Sequence, residues 1–336
     1  MRVGSNPNKD KSLNTSEYFH QVVIPVYIPN QEGYFKDSFK ILKLCIDSLL
    51  NTVHNKTFIT IVNNGSCQEV KEYLELLFNN RNIHEVIHTE NIGKLNAIIK
   101  GLVGNKIELV TISDADVLFL SNWQEETIKL FDNIPKAGVV GIVPQFKMYE
   151  NCCGNVIYET IFSEKLKFLP VKNPEALKHF YNSIGWDRNY NQDYLKYILG
   201  LEINSNLNAL IGSGHFVATY KKDMFTEIIS YLGYKLGGIS EMYLDKAPLR
   251  KGYWRLTTED NYAYHMGNTY EDWMKTNQSL EKQRDLFKTN FKTIRRTNKL
   301  DYFIKNRLFI KFISVPSLYK LFLNWKGLPK SIAKNY

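Results

Sequence analysis

Regular patterning begins at Gln21, where Gln21–Tyr27 (QVVIPVY) is a nearly unbroken apolar run and reads as a buried strand. From Ser38 to Val53 the period changes: Ile41, Leu42, Cys45, Ile46, Leu49, Leu50 and Val53 recur at helical spacing. Thr57–Val62 is β-branched and predicts a second strand, and Asn63-Asn64-Gly65 a turn. Ser66, with Glu69 three residues on, has the form of a capping box that opens a helix running to about Phe78. Glu85–His88 predicts a short strand. Ile92–Val103 predicts a helix with Leu95, Ile98, Ile99 and Leu102 on one face. Ile107–Ile112 is a fourth strand, Trp123–Phe131 a further helix and Gly138–Val143 a further strand.

Alternation of this kind predicts an α/β fold with a mainly parallel sheet and helices on both faces. In such sheets ligands bind at the carboxyl ends of the strands. Three polar turns occupy that position here: after Tyr27, at Asn63-Asn64, and at Asp114–Asp116. The chain has neither a G-x-G-x-x-G nor a Walker lysine loop, so the common dinucleotide and P-loop readings do not apply.

The pattern is less regular beyond Phe146. Residues 146–215 are rich in aromatics, including Tyr149, Tyr158, Phe162, Tyr181, Trp186, Tyr190, Tyr194 and Tyr197, most of them expected in the core of a local subdomain. Gly212-Ser213-Gly214-His215 precedes a strand-like Phe216–Thr219, and Asp223–Leu232 reads as helical. Near the end, Leu318, Leu321, Phe322 and Trp325 fall at i, i+3, i+4 and i+7, with Pro316 separating them from the apolar stretch around Phe303–Ile313.

Charge sharpens this division. The net charge is +9, yet residues 276–336 carry 14 Lys/Arg against Glu281, Asp285 and Asp301, so the rest of the chain is slightly acidic. A near-neutral body argues against nucleic-acid binding, and a basic helical tail suits either packing on the body or an anionic surface such as lipid headgroups. With 44% hydrophobic residues the composition is that of a globular protein. Met1–Ser16 has no apolar signal-like segment, and no apolar run reaches spanning length. Cys45, Cys67, Cys152 and Cys153 form no Cys-x-x-Cys pair, which fits a reducing, cytoplasmic setting.

The candidate chemistry lies at Ser113-Asp114-Ala115-Asp116, at the end of the fourth strand. Carboxylates at i and i+2 leave an extended strand on one side, where they can share a divalent cation that neutralises a diphosphate. Four segments in order resemble a family 2 glycosyltransferase of the GT-A fold: Val22–Tyr27, Ile61–Ser66, Glu90–Gly101 (with Asn91-Ile92-Gly93-Lys94) and Ile112–Asp116. The resemblance covers roughly the first 270 residues and stops upstream of Tyr18 and beyond about Met274. It implies three regions: a polar segment 1–17, a GT-A domain 18–275 (nucleotide half 18–145, acceptor half 146–275), and the basic helical extension 276–336.

The resemblance further implies a metal-dependent transfer from a nucleoside-diphosphate sugar, with a UDP-sugar the expected donor. The acceptor would be a glycan or lipid-linked glycan in surface polysaccharide or glycoconjugate synthesis, and the class hexosyl- or N-acetylhexosaminyltransferase. Pro25, Tyr27 and Asn64 would frame base and ribose, the Asn63-Asn64 turn being where many relatives carry an acid. Asn91 and Lys94 would lie at the nucleotide, with Lys94 and a helix N-terminus favouring phosphate. Asp114 would serve ribose and metal, and Asp116 and His265 would bind Mn²⁺ or Mg²⁺. His215 reads as structural or acceptor-side. An inverting reaction needs a carboxylate base. Relatives place this acid about eleven residues before a Gly-aromatic pair, here Gly252-Tyr253, so the resemblance implies Glu241, with Asp245 as competitor, while Glu259-Asp260 reads as a turn. Rival readings are a sugar-phosphate nucleotidyltransferase and a non-catalytic protein binding an anionic surface. Against the first, Ile28-Pro29-Asn30-Gln31 offers no basic phosphate loop after the first strand. Location is expected to be cytoplasmic, peripheral on the inner membrane face if the tail binds lipid.

Overall fold

Strand β1 (His20–Val26) is buried at every position, as its apolar run requires, because it lies inside the sheet with neighbours on both sides. The computed structural model describes residues 4–12, 16–186, 189–225, 233, 235, 242–276, 291–294 and 296–336. Helix α1 (Ser38–Thr52) follows β1 and buries the predicted stripe, with Ile41, Leu42, Cys45, Ile46 and Leu49 inward. Then come β2 (Thr57–Asn64), α2 (Gln68–Asn79), β3 (Glu85–Thr89), α3 (Lys94–Leu102) and β4 (Leu109–Ser113). β3, β2, β1 and β4 are adjacent in that order and all parallel, the arrangement that βαβ units produce.

The rest of the sheet departs from the parallel expectation. After β5 (Val117–Phe119), α4 (Trp123–Asn133), β6 (Ala137–Gly141), α5 (Gly154–Thr160), β7 (Leu166–Pro170), α6 (Pro174–Ser183), β8 (Tyr197–Asn204) and β9 (Leu207–Ile211), the chain returns as β10 (Val217–Lys221). β10 inserts between β4 and β6 and runs antiparallel to both. Beyond α7 (Met242–Lys251), β11 (Trp254–Thr258) pairs parallel with β6. β9, β8 and β7 then extend the sheet antiparallel, giving ten strands among the described residues. The sheet is parallel in its amino-terminal part, mixed beyond it and flanked by helices, with a helical C-terminal extension, in keeping with the α/β architecture expected from the sequence.

A small ribbon stands apart, β5 paired antiparallel with β12 (Ala263–His265), His265 opposite Val117. The β1–β4 ladder ends at Val23–Ile112, whereas the β1–β2 ladder continues through Pro25–Val62. Pro25, which has no N–H to donate, therefore sits where β1 and β4 part. A crevice opens at that point.

Two local expectations change. Helix α2 begins at Gln68 after Cys67, with no side-chain cap, so the Ser66/Glu69 capping box does not form. Ser66 Oγ instead accepts from Ile28 N (3.0 Å) and donates to Val26 O (3.3 Å), and Glu69 accepts from Gln31. The hydroxyl thus ties the loop after β1 to the loop after β2. The reading of Asp223–Leu232 as a helix holds only a 3₁₀ turn, Lys222–Phe225, and residues 226–232 lie outside the described residues.

The C-terminal helices, Lys299–Ile313 and Pro316–Trp325, pack on the body. Phe322, Leu323, Leu328 and Ala333 join one core with Leu166, Phe168 and Leu199. Phe168 N of β7 donates to Lys326 O (2.8 Å), and Tyr336 Oη donates to Tyr197 O (2.6 Å).

Candidate active site

The three polar turns converge. A cavity of about 430 Å³ at the carboxyl ends of β1, β2 and β4 is lined by residues that include Pro25, Tyr27, Asn64, Asn91, Lys94, Asp114 and Asp116. Each of these was singled out in the sequence, and they arrive from separate strand ends and the start of α3.

Backbone geometry sets the middle of the site. Gly93 (φ 90°) precedes α3 in a conformation that glycine tolerates and side chains resist. Gly65 (φ 88°) lies so close to the facing loop that a Cβ would sit 2.8 Å from Asn91 N. Asn64 Oδ1 accepts from Ile92 N (2.9 Å), and Asn91 Oδ1 from Gly93 N (3.2 Å). Asn64 therefore spends its acceptor on holding the Asn91 loop and offers the cavity its amide donors. Lys94 N, at the first turn of α3, donates to Lys235 O (2.9 Å).

Lys94 Nζ lies 2.6 Å from Asp114 Oδ1. The two groups expected to face phosphate and metal are thus paired with each other. Asp114 N donates to Phe216 O (2.7 Å), anchoring the acidic turn to the start of β10. On the other side of Ala115, Met266 N donates to Asp116 O (2.8 Å), continuing the β5–β12 ribbon. That ribbon delivers His265, whose Nε2 is 3.4 Å from Asp116 Oδ2.

Ser183 Oγ, at the end of α6, donates to Phe180 O (2.7 Å) and lies 3.0 Å from His265 Nδ1. Its single proton being committed, the hydroxyl accepts from Nδ1–H. That leaves Nε2 as the ring nitrogen facing Asp116, the one a metal would use in its unprotonated form. Burial pushes the Asp116 carboxyl above its ordinary range, with neighbouring Asp114 in the same direction and His265 and Lys94 opposing. Asp116 Oδ1 is buried without a hydrogen-bond partner. A buried carboxylate oxygen left open beside an imidazole fits a divalent cation. Among the described residues no three His, Cys, Asp or Glu side chains cluster as a metal group. Asp116 and His265 would supply two ligands to such a cation, leaving other coordination positions to Asp114 or to donor oxygens.

Sequence patterning missed part of the wall. Tyr34, Phe35, Lys235 and Asn268 also line the cavity. Tyr27 and Phe35 meet edge to face at 5.9 Å. Asn268 Nδ2 donates to Tyr34 O (3.2 Å), Tyr270 N to Asp37 Oδ2 (3.1 Å), and Lys40 Nζ lies 3.0 Å above the Tyr270 ring. The loop after β12 is thereby laid over the loop after β1. The signal available in the sequence was the aromatic pair Tyr34-Phe35 after Gly33.

The two base candidates part company. Glu241 lies outside the described residues. Asp245, in the first turn of α7, is not among the residues lining the cavity: its Oδ1 is 2.6 Å from Arg255 Nη2. Arg255 is buried and also donates to Asn151 O (3.0 Å) and Ser213 O (2.5 Å). Asp245 therefore neutralises an interior guanidinium. His215 is half-buried in the turn before β10. Most of the aromatics of 146–215 are packed, as with Phe146 stacked on Tyr181 at 3.9 Å, but Tyr158, Phe162 and Trp186 are exposed.

The model of the family described as "Glycosyl transferase family 2" matches residues 22–185. Among solved structures, the chain is similar to S. aureus TarS 1–349 (12% identity, 74% of this chain and 60% of that chain, TM-score 0.42). It is also similar to the mannosyltransferase PcManGT from Pyrobaculum calidifontis in complex with GDP-Man and Mn²⁺ (14% identity, 74% and 58%, TM-score 0.42). For TarS 1–349 in complex with UDP-GlcNAc the values are 12% identity, 94% and 69%, and TM-score 0.44. The chain thus spans 60% and 58% of the first two structures. No curated protein sequence matches it.

Proposed function

We propose that this chain, whose residues 22–185 match the model of glycosyl transferase family 2, transfers a sugar from a nucleoside-diphosphate sugar, a UDP-sugar foremost, to a glycan or lipid-linked glycan. The observation that carries the reading is the convergence of Pro25, Tyr27, Asn64, Asn91, Lys94, Asp114 and Asp116 on one cavity. Tyr27 and Phe35 supply an apolar wall for a base, and the Asn64 amide supplies donors to it. Lys94 exchanges Asp114 for the donor's diphosphate. Asp116 and His265 hold Mg²⁺ or Mn²⁺, with Asp114 beside them. Such a cation stabilises negative charge on the departing diphosphate.

If the reaction inverts the anomeric centre, Glu241 takes the acceptor proton, because Asp245 is committed to Arg255. The four free thiols accord with work in the cytoplasm. The test is a screen of nucleotide sugars for donor hydrolysis, with and without Mn²⁺. Release of a nucleoside diphosphate that stops with chelator supports the reading. Turnover of a nucleoside triphosphate with a sugar phosphate instead would replace it by a nucleotidyltransferase.

A further inference from the structure

The C-terminal helices leave a face that the cavity does not use. Residues Lys299–Phe303, a π-helical turn Ile304–Leu308 and Phe309–Ile313 follow one another without a break. One side is bound to the body: Ile313 is in the core, Asn306 Oδ1 accepts from Asn155 N (3.1 Å), and Lys305 Nζ is 2.7 Å from Glu159. The other side carries Leu300, Phe303, Leu308 and Phe312, each more than half exposed. The π turn winds less per residue than an α turn, so it keeps Leu308 and Phe312 in line with Leu300 and Phe303.

The next helix divides its apolar stripe. Phe322 is 4% exposed and packs inward, while Leu321 and Trp325 are 64% and 52% exposed. The exposed ring of Phe162 meets Trp325 at 5.7 Å. Of the stripe expected at Leu318, Leu321, Phe322 and Trp325, Phe322 lies in the core, Leu318 is half-buried, and Leu321 and Trp325 are on the surface.

Charge identifies what this face meets. From Arg296 to Tyr336 there are nine Lys/Arg and a single acid, Asp301, which is 2.9 Å from Lys305. Lys299, Arg307, Lys311 and Lys320 are exposed on the same two helices. A second copy of the chain would set these cations against their own kind. A nucleic acid would pair with them and could stack on a ring, but would gain nothing from the exposed aliphatic side chains Leu300, Leu308 and Leu321. An anionic bilayer surface answers both, taking the apolar side chains into its interfacial zone and the cations at its phosphates. No helix of the described residues is long and apolar enough to cross a membrane.

We propose that the helices Lys299–Ile313 and Pro316–Trp325 form a docking surface for an anionic lipid bilayer. The experiment is sedimentation of the full chain with phosphatidylcholine vesicles with and without phosphatidylglycerol, at low and raised salt. Pelleting is expected only with phosphatidylglycerol, falling as salt rises. The double variant Phe303→Ser/Phe312→Ser should lose vesicle affinity by ~10-fold or more, since each ring gives up apolar burial. Arg307→Gln/Lys311→Gln should weaken it and flatten the salt dependence. Both variants should keep the wild-type melting temperature and donor turnover. The proposal is overturned if the wild type ignores anionic vesicles at low salt, or binds both lipids alike regardless of salt. It is equally overturned if the Phe variant pellets like wild type, or if light scattering shows a dimer that this variant dissociates.

Discussion

His265 Nε2 lies 3.4 Å from Asp116 Oδ2, although the two residues stand far apart in the sequence. The β5–β12 ribbon makes this distance, because pairing His265 with Val117 fixes it one residue from Asp116. Ser183 fixes the ring's rotation and tautomer from a third element. Three segments thus agree on where one imidazole nitrogen points.

Asp116→Ala should abolish Mn²⁺ binding measured by titration calorimetry in the presence of UDP, with the fold retained. Ser183→Ala should weaken it by ~10- to 100-fold, the usual cost of losing the partner that orients a ligating histidine. Unchanged Mn²⁺ affinity in Asp116→Ala would refute the metal site. Unchanged affinity in Ser183→Ala alone would refute only the tautomer argument.

Lys94→Gln should move two affinities in opposite directions. A charged hydrogen bond is worth roughly 1.5–3 kcal/mol, so UDP should bind ~10- to 150-fold more weakly. Asp114, released from its 2.6 Å partner, should bind Mn²⁺ more tightly in the absence of nucleotide. Equal weakening of both would show that the lysine serves only to hold the loop.

Asp245 and Glu241 should separate by the kind of damage. Asp245→Ala leaves Arg255 buried and unpaired and should cost about 3–5 kcal/mol in stability, read in a denaturant titration. Glu241→Gln should leave stability unchanged and reduce kcat by ~10²- to 10⁴-fold. The reverse pattern would return Asp245 to the catalytic role.

Acid should destabilise the protein through two interior histidines. Burial holds His54 down at about 4, and burial, then the neighbouring His54, holds His20 well below its ordinary value. His20 accepts from Gln124 Nε2 at Nδ1 (2.9 Å) and faces Thr111 Oγ1 at Nε2 (2.7 Å), a neutral-ring arrangement. In the unfolded chain both titrate near ~6.5. Their contribution is whole above that pH and is lost as pH falls toward 4, because the unfolded chain takes protons that the folded one refuses. For His54 the full effect is at most ~3 kcal/mol. His54→Gln should flatten the fall in melting temperature between those limits, and an unchanged slope would locate the acid sensitivity elsewhere.

The amino-terminal half was readable because its signals are local. A buried strand, a polar turn and a helical stripe each follow from a dozen residues, and Pro25, Asn64, Lys94 and Asp116 fall where those units place them. What was hidden depends on distant pairing. Nothing near Val217–Lys221 says that β10 will enter antiparallel between β4 and β6. Nothing near Asp245 announces Arg255. Ser66 shows the limit of a local rule: its spacing to Glu69 is that of a capping box, but its hydroxyl is spent across two loops. Tyr34 and Phe35 became part of the wall only through the covering loop around Asn268.

The bond from Phe168 N to Lys326 O bears on how the chain stays in solution. β7 is the last strand of the ten and would otherwise present open backbone groups to any other extended chain. Lys326 occupies one of those groups, Pro170 removes a donor at the strand's end, and Phe322, Leu323 and Leu328 roof the adjoining core. The carboxyl-terminal residues therefore act as a guard against strand-to-strand aggregation as well as a contact surface. A shortened chain lacking them would be expected to self-associate through β7 before any change in its sugar chemistry could be read.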